Sequence, residues 1–126
     1  MLPLLFGGLY GQSTESSIPH AQSAVPVAAR YEVVQSHLSA KFTFKLDKYS
    51  GHVWQLVKGS DDNVKWQVVP VLGLPKITAA GGVRFQMFTS GLAGRHTFLL
   101  DTATGRSWVF TEFKDGNAWA PMMEVE

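Results

Sequence analysis

The best candidates for a chemically active site in this sequence are two aspartates, each followed by a glycine four positions later. Asp47 and Gly51 stand in TFKLDKYSGHVW, and Asp101 and Gly105 stand in TFLLDTATGRSW. A carboxylate beside a hydroxyl and a carbonyl can ligate calcium. The same carboxylate can instead accept hydrogen bonds from turn N–H groups, while glycine adopts a positive φ. Each copy has only one well-placed acid, so we predict a structural turn and no metal.

Sequence patterns typical of catalysis are missing from the chain. The four histidines never occur at metal-ligand spacing, no serine stands in a G-x-S-x-G turn, and the glycines form no phosphate-binding loop. The acids cluster in turns or at the C-terminal end, so no hydrolase dyad stands out. We therefore predict no catalytic residues, no cofactor and no enzymatic activity.

The tryptophans are the second class of residue that can do more than pack. Trp66 and Trp119 lie near the polar residues Asn63 and Asn117, where exposed indoles can stack on sugar faces. The other interpretation is that all four tryptophans belong to the core, because large aromatic side chains dominate the cores of small β domains. Glycan binding and a purely structural role both remain open.

The sequence contains an internal repeat. Residues 30–63 align without a gap on residues 84–117 and are identical at eleven positions, where chance would give about two. Deleting one residue then aligns Trp66 with Trp119. The chain therefore carries two copies of one structural unit.

Each copy is predicted to contain four β-strands. The segments are RYEVVQS, KFTFKLD, HVWQLV and KWQVVPV in the first copy, and RFQMFTS, RHTFLLD, RSWVFTEF and AWAPMMEV in the second. They are rich in β-branched and aromatic residues, glycine-containing turns separate them, and no segment shows a sustained helical period. With a regular pleat, we expect the turn tryptophans, Trp54 and Trp108, to lie beside Leu46 and Leu100 on the buried face.

These elements predict an all-β chain with four parts. They are an N-terminal arm (1–29), a first repeat (30–71), a linker (72–83) and a second repeat (84–126). A single four-stranded antiparallel meander is marginally stable because it leaves two faces and two edges uncovered. We expect the two meanders to form a sandwich or barrel, or to act as propeller-blade-like units that close by oligomerisation.

The segment LLDTATG followed by Trp108 resembles the turn of bacterial β-repeats. Such turns occur in small, exported, uncharacterised bacterial proteins with tandem LLDT-x-TG-xx-W units. The resemblance to quinoprotein-type β-propeller blades is weaker, because the spacing from glycine to tryptophan is one residue shorter here. Residues 84–121 fit the pattern well and residues 30–70 less well, since Ser50 replaces the threonine. The resemblance implies a β-meander repeat and transfers no catalytic residue or cofactor.

The N-terminal stretch MLPLLFGGLYGQS is apolar and changes abruptly into the polar STESSIPHAQS. It is too short to span a bilayer, and it is similar to the hydrophobic region and cleavage end of a secretory signal peptide. This pattern predicts a secreted, periplasmic or cell-surface protein that is not transmembrane. The other interpretation is an assembly arm that lies on its own or a neighbouring chain through its apolar residues, Leu4, Leu5, Phe6, Leu9 and Tyr10.

Charge and cysteine usage narrow the partners. The formal net charge of +1 gives no basic field for a phosphate backbone, so we expect no nucleic-acid partner. Cysteine is absent, which excludes disulfides and thiol chemistry. Two hypotheses remain. The first is a non-enzymatic protein that binds protein or itself, including as a homo-oligomer. The alternative is a carbohydrate-binding module or small lectin with one site per repeat.

Overall fold

The computed structural model describes residues 25–76, 81–89 and 96–126. The strands in these ranges are β1 Tyr31–Gln35, β2 Thr43–Asp47, β3 Val53–Lys58, β4 Val64–Val69, β5 Phe85–Phe88, β6 Phe98–Asp101, β7 Ser107–Phe113 and β8 Gly116–Pro121. They form two antiparallel four-stranded meanders, sheet 1 (β1 to β4) and sheet 2 (β5 to β8). The prediction of an all-β fold with two similar meanders is confirmed. Both sheets are open, and they stack as a sandwich rather than closing into a barrel.

The hairpin register gives both turn tryptophans different neighbours from those expected, and only Trp108 lies on a buried face. Lys45 pairs with Trp54 across β2 and β3, and Leu99 pairs with Trp108 across β6 and β7. Directly paired residues share a face, and neighbours along a strand alternate between faces. The expectation that these indoles lie beside Leu46 and its repeat equivalent is therefore wrong. The loop between the strands shifts the pairing by one residue, which reverses the face.

One hydrophobic core lies between the two sheets. Its buried members are Phe42, Phe44, Leu46, Val53 and Val69 from the first repeat, and Phe85, Met87, Leu99, Trp108, Phe110 and Trp119 from the second. The ring of Phe44 in sheet 1 lies 5.3 Å from Phe110 and 5.5 Å from Trp119 in sheet 2. These contacts are edge-on or tilted, as aromatic quadrupoles favour. We call the core-facing side of each sheet its inner face and the other side its outer face.

The two sheets contribute opposite faces of the repeat to this core. Sheet 1 buries Phe44 and Leu46, but their equivalents Phe98 and Leu100 lie on the outer face of sheet 2. The pleat decides this, since Leu99 between them belongs to the core.

The same relation holds in the other direction. Sheet 2 buries Trp108 and Trp119, whereas their equivalents Trp54 and Trp66 lie on the outer face of sheet 1. The two sheets therefore pack through non-equivalent faces of the repeat, an arrangement that we call head to tail.

Two backbone connections fix this stacking. At one end, the carbonyl of Lys48 in the first turn accepts hydrogen bonds from Arg84 N (2.8 Å) and Phe85 N (2.9 Å) at the start of β5. At the other, residues 70–72 leave β4 and run beside the edge strand β8. There Trp119 N donates to Pro70 O (2.8 Å), and Leu72 N donates to Trp119 O (3.0 Å).

The last strand is shorter than predicted. The segment AWAPMMEV was expected to be extended and paired, but β8 begins at Gly116 and ends at Pro121. The β7–β8 turn is tight, since Phe113 pairs with Gly116, and so pairing starts earlier. Met122, Met123 and Val125 follow the strand and are exposed.

Candidate functional site

The turn after β2 is organised around the carboxylate of Asp47. Its Oδ1 accepts a hydrogen bond from Tyr49 N at 3.0 Å, and its Oδ2 accepts one from the Ser50 hydroxyl at 2.7 Å. Arg30, just before β1, donates from Nε and Nη2 to the same two oxygens at 3.0 and 2.9 Å. Gly51 completes the turn with a φ of 86°. One carboxylate thus joins the turn to the edge strand.

The second copy repeats this arrangement. The two oxygens of Asp101 accept hydrogen bonds from Ala103 N (3.0 Å) and from the Thr104 hydroxyl (2.8 Å). Arg84 donates to them from Nε and Nη2 at 2.7 and 2.8 Å. Gly105 has a φ of 80°. The turn with its bidentate arginine is therefore a property of the repeat.

These contacts leave both aspartates ionised. For Asp47, burial raises the pKa, but hydrogen bonds from Arg30, Ser50 and the turn amides outweigh it, so the pKa lies below 3.8. For Asp101, the hydrogen bond from Arg84 is the largest influence and holds the pKa far below 3.8 despite burial. Both oxygens of each carboxylate accept donors from the chain itself. Within the described ranges, no three His, Asp or Glu residues are placed to hold a metal ion.

The two turn glycines differ in what surrounds them. A Cβ added to Gly51 would lie 2.9 Å from the ring of Phe85, whereas one added to Gly105 would meet nothing within 4 Å. Phe85 belongs to the next repeat, so the first turn is covered by sheet 2 and the second turn is open.

The structure separates the two predicted ligand-binding tryptophans. Trp119 has 0% of its surface exposed and Trp66 has 38%. The interpretation that both indoles are exposed is therefore wrong at Trp119, because sheet 1 covers that side of sheet 2. The interpretation that all four tryptophans belong to the core is wrong at Trp66. Trp108 is likewise buried, and its Nε1 donates to Leu72 O at 2.7 Å.

The exposed indole belongs to a cluster on the outer face of sheet 1. The ammonium of Lys45 lies 4.6 Å from the ring centre of Trp54 and 5.4 Å from that of Trp66. Tyr31, Val33 and Val68 extend this surface and are 48%, 44% and 61% exposed. A broad apolar face with one cation over two indoles is the best candidate surface for binding.

The two predicted polar partners are not equivalent in the structure. Asn63 lies in the turn before β4 and bonds Asp61 through its N–H and its side-chain amide at 3.1 and 3.2 Å. Asn117 lies in β8, and its Nδ2 donates to Gln55 Oε1 of sheet 1 at 3.0 Å. Because the β7–β8 turn is shorter than the β3–β4 turn, these two residues fall at different positions, and they do not form matching sites.

An open groove of about 560 Å³ runs between the ends of the two sheets. Gln55, Asn117, Val68, Leu72 and Phe113 are among the residues that line it. It is a place where a polar ligand can reach both sheets, but neither Trp54 nor Trp66 lines it.

The predicted assembly arm, Leu4, Leu5, Phe6, Leu9 and Tyr10, lies outside the described residues. Among the residues that are described, there is no helix of the length and apolarity that crossing a membrane requires.

Comparison of the chain with protein-family models, with curated proteins and with solved structures gave no match.

Sequence reasoning missed two contacts, one in the turn after β2 and one on the outer face of sheet 1. The pairing of Arg30 with Asp47 had a signal, because both residues recur at the same separation in the second copy as Arg84 and Asp101. The position of Lys45 between two indoles had none, since it depends on the register of β2 against β3.

Proposed function

We propose that this is a non-enzymatic, exported bacterial β-repeat protein that acts through protein binding or self-assembly. The proposal places the binding surface on the outer face of sheet 1. The turn aspartates and arginines serve the fold, since their hydrogen-bonding groups are engaged with each other and with the turn.

The observation that carries this proposal is the exposed apolar face of sheet 1. Val33 and Val68 lie on its two edge strands, and Trp54 and Trp66 lie on β3 and β4. Monomeric proteins rarely expose contiguous apolar patches beyond a few hundred square ångströms, and larger ones mark interaction sites. Aromatic residues are also enriched at the energetic centres of interfaces.

Light scattering on a sizing column tests this with the full chain. The wild type should show a species heavier than the 13.8 kDa chain, and its population should rise with concentration. Trp66→Glu should return the mass to 13.8 kDa, because it places a carboxylate on the apolar face. Gln67→Glu is the matched control, since it adds the same charge on the same strand but on the opposite face.

A single mass of 13.8 kDa for all three proteins at every concentration would remove self-assembly from the proposal. Equal association by Trp66→Glu and wild type would remove the outer face of sheet 1 as the surface.

Glycan binding is the second candidate, and the Lys45 cluster favours it at one site only. Trp66 offers an exposed indole, and the ammonium between the two rings can hydrogen-bond a sugar hydroxyl. Calorimetric titration with oligosaccharides should then give one site per chain, lost in Trp66→Ala and kept in Gln67→Glu. Two equal sites per chain would contradict this version, because Trp119 is buried.

Export is proposed on the N-terminal pattern alone. Mass spectrometry of the protein isolated from its cells should show a chain that begins near Gln12. A chain that retains Met1 and stays in the cytoplasmic fraction would contradict export.

A further inference from the structure

We propose that a second copy of this chain docks head to tail, with the outer face of its sheet 2 on the outer face of sheet 1. The contact repeats between molecules the one that joins the two sheets within a molecule. This identifies the partner in the proposed function and rests on it. The residues that the repeat places on each face support this docking.

The aromatic contact at the centre of the core has a complete set of equivalents on the two outer faces. Inside the molecule, Phe44 packs against Phe110 and Trp119. The equivalent of Phe44 is Phe98, on the outer face of sheet 2, where it stacks on the exposed Phe88.

The other half of that contact has its equivalents on the outer face of sheet 1. Phe110 and Trp119 are directly paired across β7 and β8, as Leu56 and Trp66 are across β3 and β4. Phe98 of one copy can therefore pack against Leu56 and Trp66 of the next as Phe44 does inside the molecule.

The two turn glycines show the same correspondence between the internal contact and the proposed interface. Inside the molecule, Phe85 lies close enough to Gly51 that a Cβ would be 2.9 Å from its ring. Gly105 is open, and the equivalent of Phe85 is Tyr31, which is 48% exposed. Docking of a second copy brings its Tyr31 onto Gly105, as Phe85 lies on Gly51 inside the molecule.

The chain that follows each sheet supplies a third correspondence. Residues 70–72 leave sheet 1 and pair in parallel with β8 at Trp119. The equivalent residues after sheet 2 are 123–125, and Met123 and Val125 are 88% and 87% exposed. The equivalent of Trp119 is Trp66 on the edge strand β4, so residues 123–125 can pair with β4 of the next copy. Adding a segment to a free sheet edge satisfies its backbone hydrogen-bonding groups.

The external equivalent differs from the internal contact at several positions. On and next to sheet 2, His96, Ser107 and Glu124 take the places of Phe42 and Val53 in the core and of Val71 packed against it. On sheet 1 the departure is Lys45. It occupies the position of the buried Leu99. Covering an ammonium costs free energy unless it keeps polar partners. The contact between copies is therefore weaker than the contact within one, and Lys45→Leu should strengthen it.

A contact between different faces is heterologous, so each copy has one donor face and one acceptor face. Repeating it gives a ring when the rotation closes and a filament when it does not. A ring of roughly two to four copies would contain four to eight sheets, the range in which β-propellers close.

Mixing two full-length variants gives a test that only this arrangement passes. Trp66→Glu disables the outer face of sheet 1, and Phe88→Glu disables the outer face of sheet 2. Both residues are exposed on edge strands, so each variant should retain the circular dichroism and urea midpoint of a folded chain. Each alone should associate at least about thirty-fold more weakly than wild type.

The mixture should then form a species of two chains, twice 13.8 kDa, and nothing heavier. The Phe88→Glu copy keeps an intact outer face on sheet 1, and the Trp66→Glu copy keeps an intact outer face on sheet 2. These two faces form one contact, and both faces that remain free are disabled, so no third chain is added. Lys45→Leu should associate at lower concentration than wild type.

Other results would overturn the inference in recognisable ways. Full association by Phe88→Glu, with loss in Trp66→Glu, would show sheet 1 pairing with sheet 1 and would leave the proposed function intact. Loss of association on removing residues 1–11, with no effect of Trp66→Glu, would make the arm the assembly element. Monomers for both wild type and Lys45→Leu would overturn the inference, and association of Trp66→Glu equal to that of wild type would remove the binding surface of the proposed function as well.

Discussion

Trp54 and Trp108 occupy the same place in two copies of one motif, and their surroundings are opposite. Trp108 is wholly buried against sheet 1 and donates a hydrogen bond to Leu72 O. Trp54 lies half-buried on an outer face beside Lys45. Trp119 and Trp66 differ in the same way, with 0% and 38% of their surfaces exposed.

The repeat therefore sets the register of the strands, whereas the position of each sheet in the stack sets which of its faces is buried. Both hairpins have the same loop length and the same pairing, so Trp54 and Trp108 lie on equivalent faces of the two repeats. That face is the outer face of sheet 1 and the inner face of sheet 2. Sheet 1 covers that face in the second copy, and no described residue of this chain buries it in the first. Substituting equivalent residues in both copies therefore measures the effect of the stack directly.

Removing the turn tryptophans should give the largest contrast. Trp108→Ala should lower the free energy of unfolding by about 3–5 kcal/mol, because it opens a cavity in the core and removes a buried hydrogen bond. Trp54→Ala should cost no more than about 1 kcal/mol, since the side chain is only partly covered. Urea unfolding at low protein concentration, where association contributes least, is the measurement. Similar losses in both variants would show that the outer face of sheet 1 is covered.

The paired aspartates should give the next largest contrast. Asp101→Asn should cost about 1–3 kcal/mol at neutral pH by weakening the hydrogen bonds from Arg84 and the turn. Asp47→Asn should cost less, because Arg30 is 48% exposed and solvent screens its ion pair, against 28% for Arg84. Denaturant midpoints of both variants measure this.

The pH dependence of the same variants has a definite sign. Both carboxyls have folded pKa values below the ordinary 3.8, so their stabilisation is complete above that pH and is lost as pH falls through the folded pKa. The gap between wild type and Asp101→Asn should therefore be constant near neutrality and shrink below pH 3.8. A gap that widened in acid would contradict the assigned role.

The sequence predicted the elements of this fold better than their packing. Strands and turns follow from local signals, namely β-forming residues and the aspartate and glycine of each hairpin. The stacking was harder to predict because it joins different faces of two similar sheets. One signal was present in FLL at 98–100, since a continuous apolar run is typical of a strand covered on both faces.

The candidate surface depends on facts that no local pattern carries. Trp66 and Trp119 match in the sequence, and only the stack decides which of them is exposed. Lys45 reaches two indoles because pairing sets it beside Trp54 and because β4 follows β3. Such contacts require the register, which shifts by a whole face when a loop changes by one residue.

The turn glycines should give a smaller contrast that isolates one contact. Gly51→Ala and Gly105→Ala share a cost of about 1–2 kcal/mol, because both positions have positive φ. Only Gly51→Ala also forces the ring of Phe85 to move, so it should cost about 1 kcal/mol more. Thermal unfolding of both variants at low concentration measures the difference, and equal costs would show that Phe85 is free to shift.

The turn hydroxyls should give no contrast, which makes them the reference for the comparison. Ser50 and Thr104 each donate one hydrogen bond to an aspartate of their own turn, at 2.7 and 2.8 Å. Neither bond crosses between the sheets, so Ser50→Ala and Thr104→Ala should each cost about 0.5–1.5 kcal/mol and agree closely. Urea midpoints measured in parallel test this. A clear difference would mean that the cover of the first turn by sheet 2, or the 2.9 Å contact of the Ser50 hydroxyl with His52 Nδ1, affects the turn hydroxyls as well. Register and burial would then not act separately in the turns.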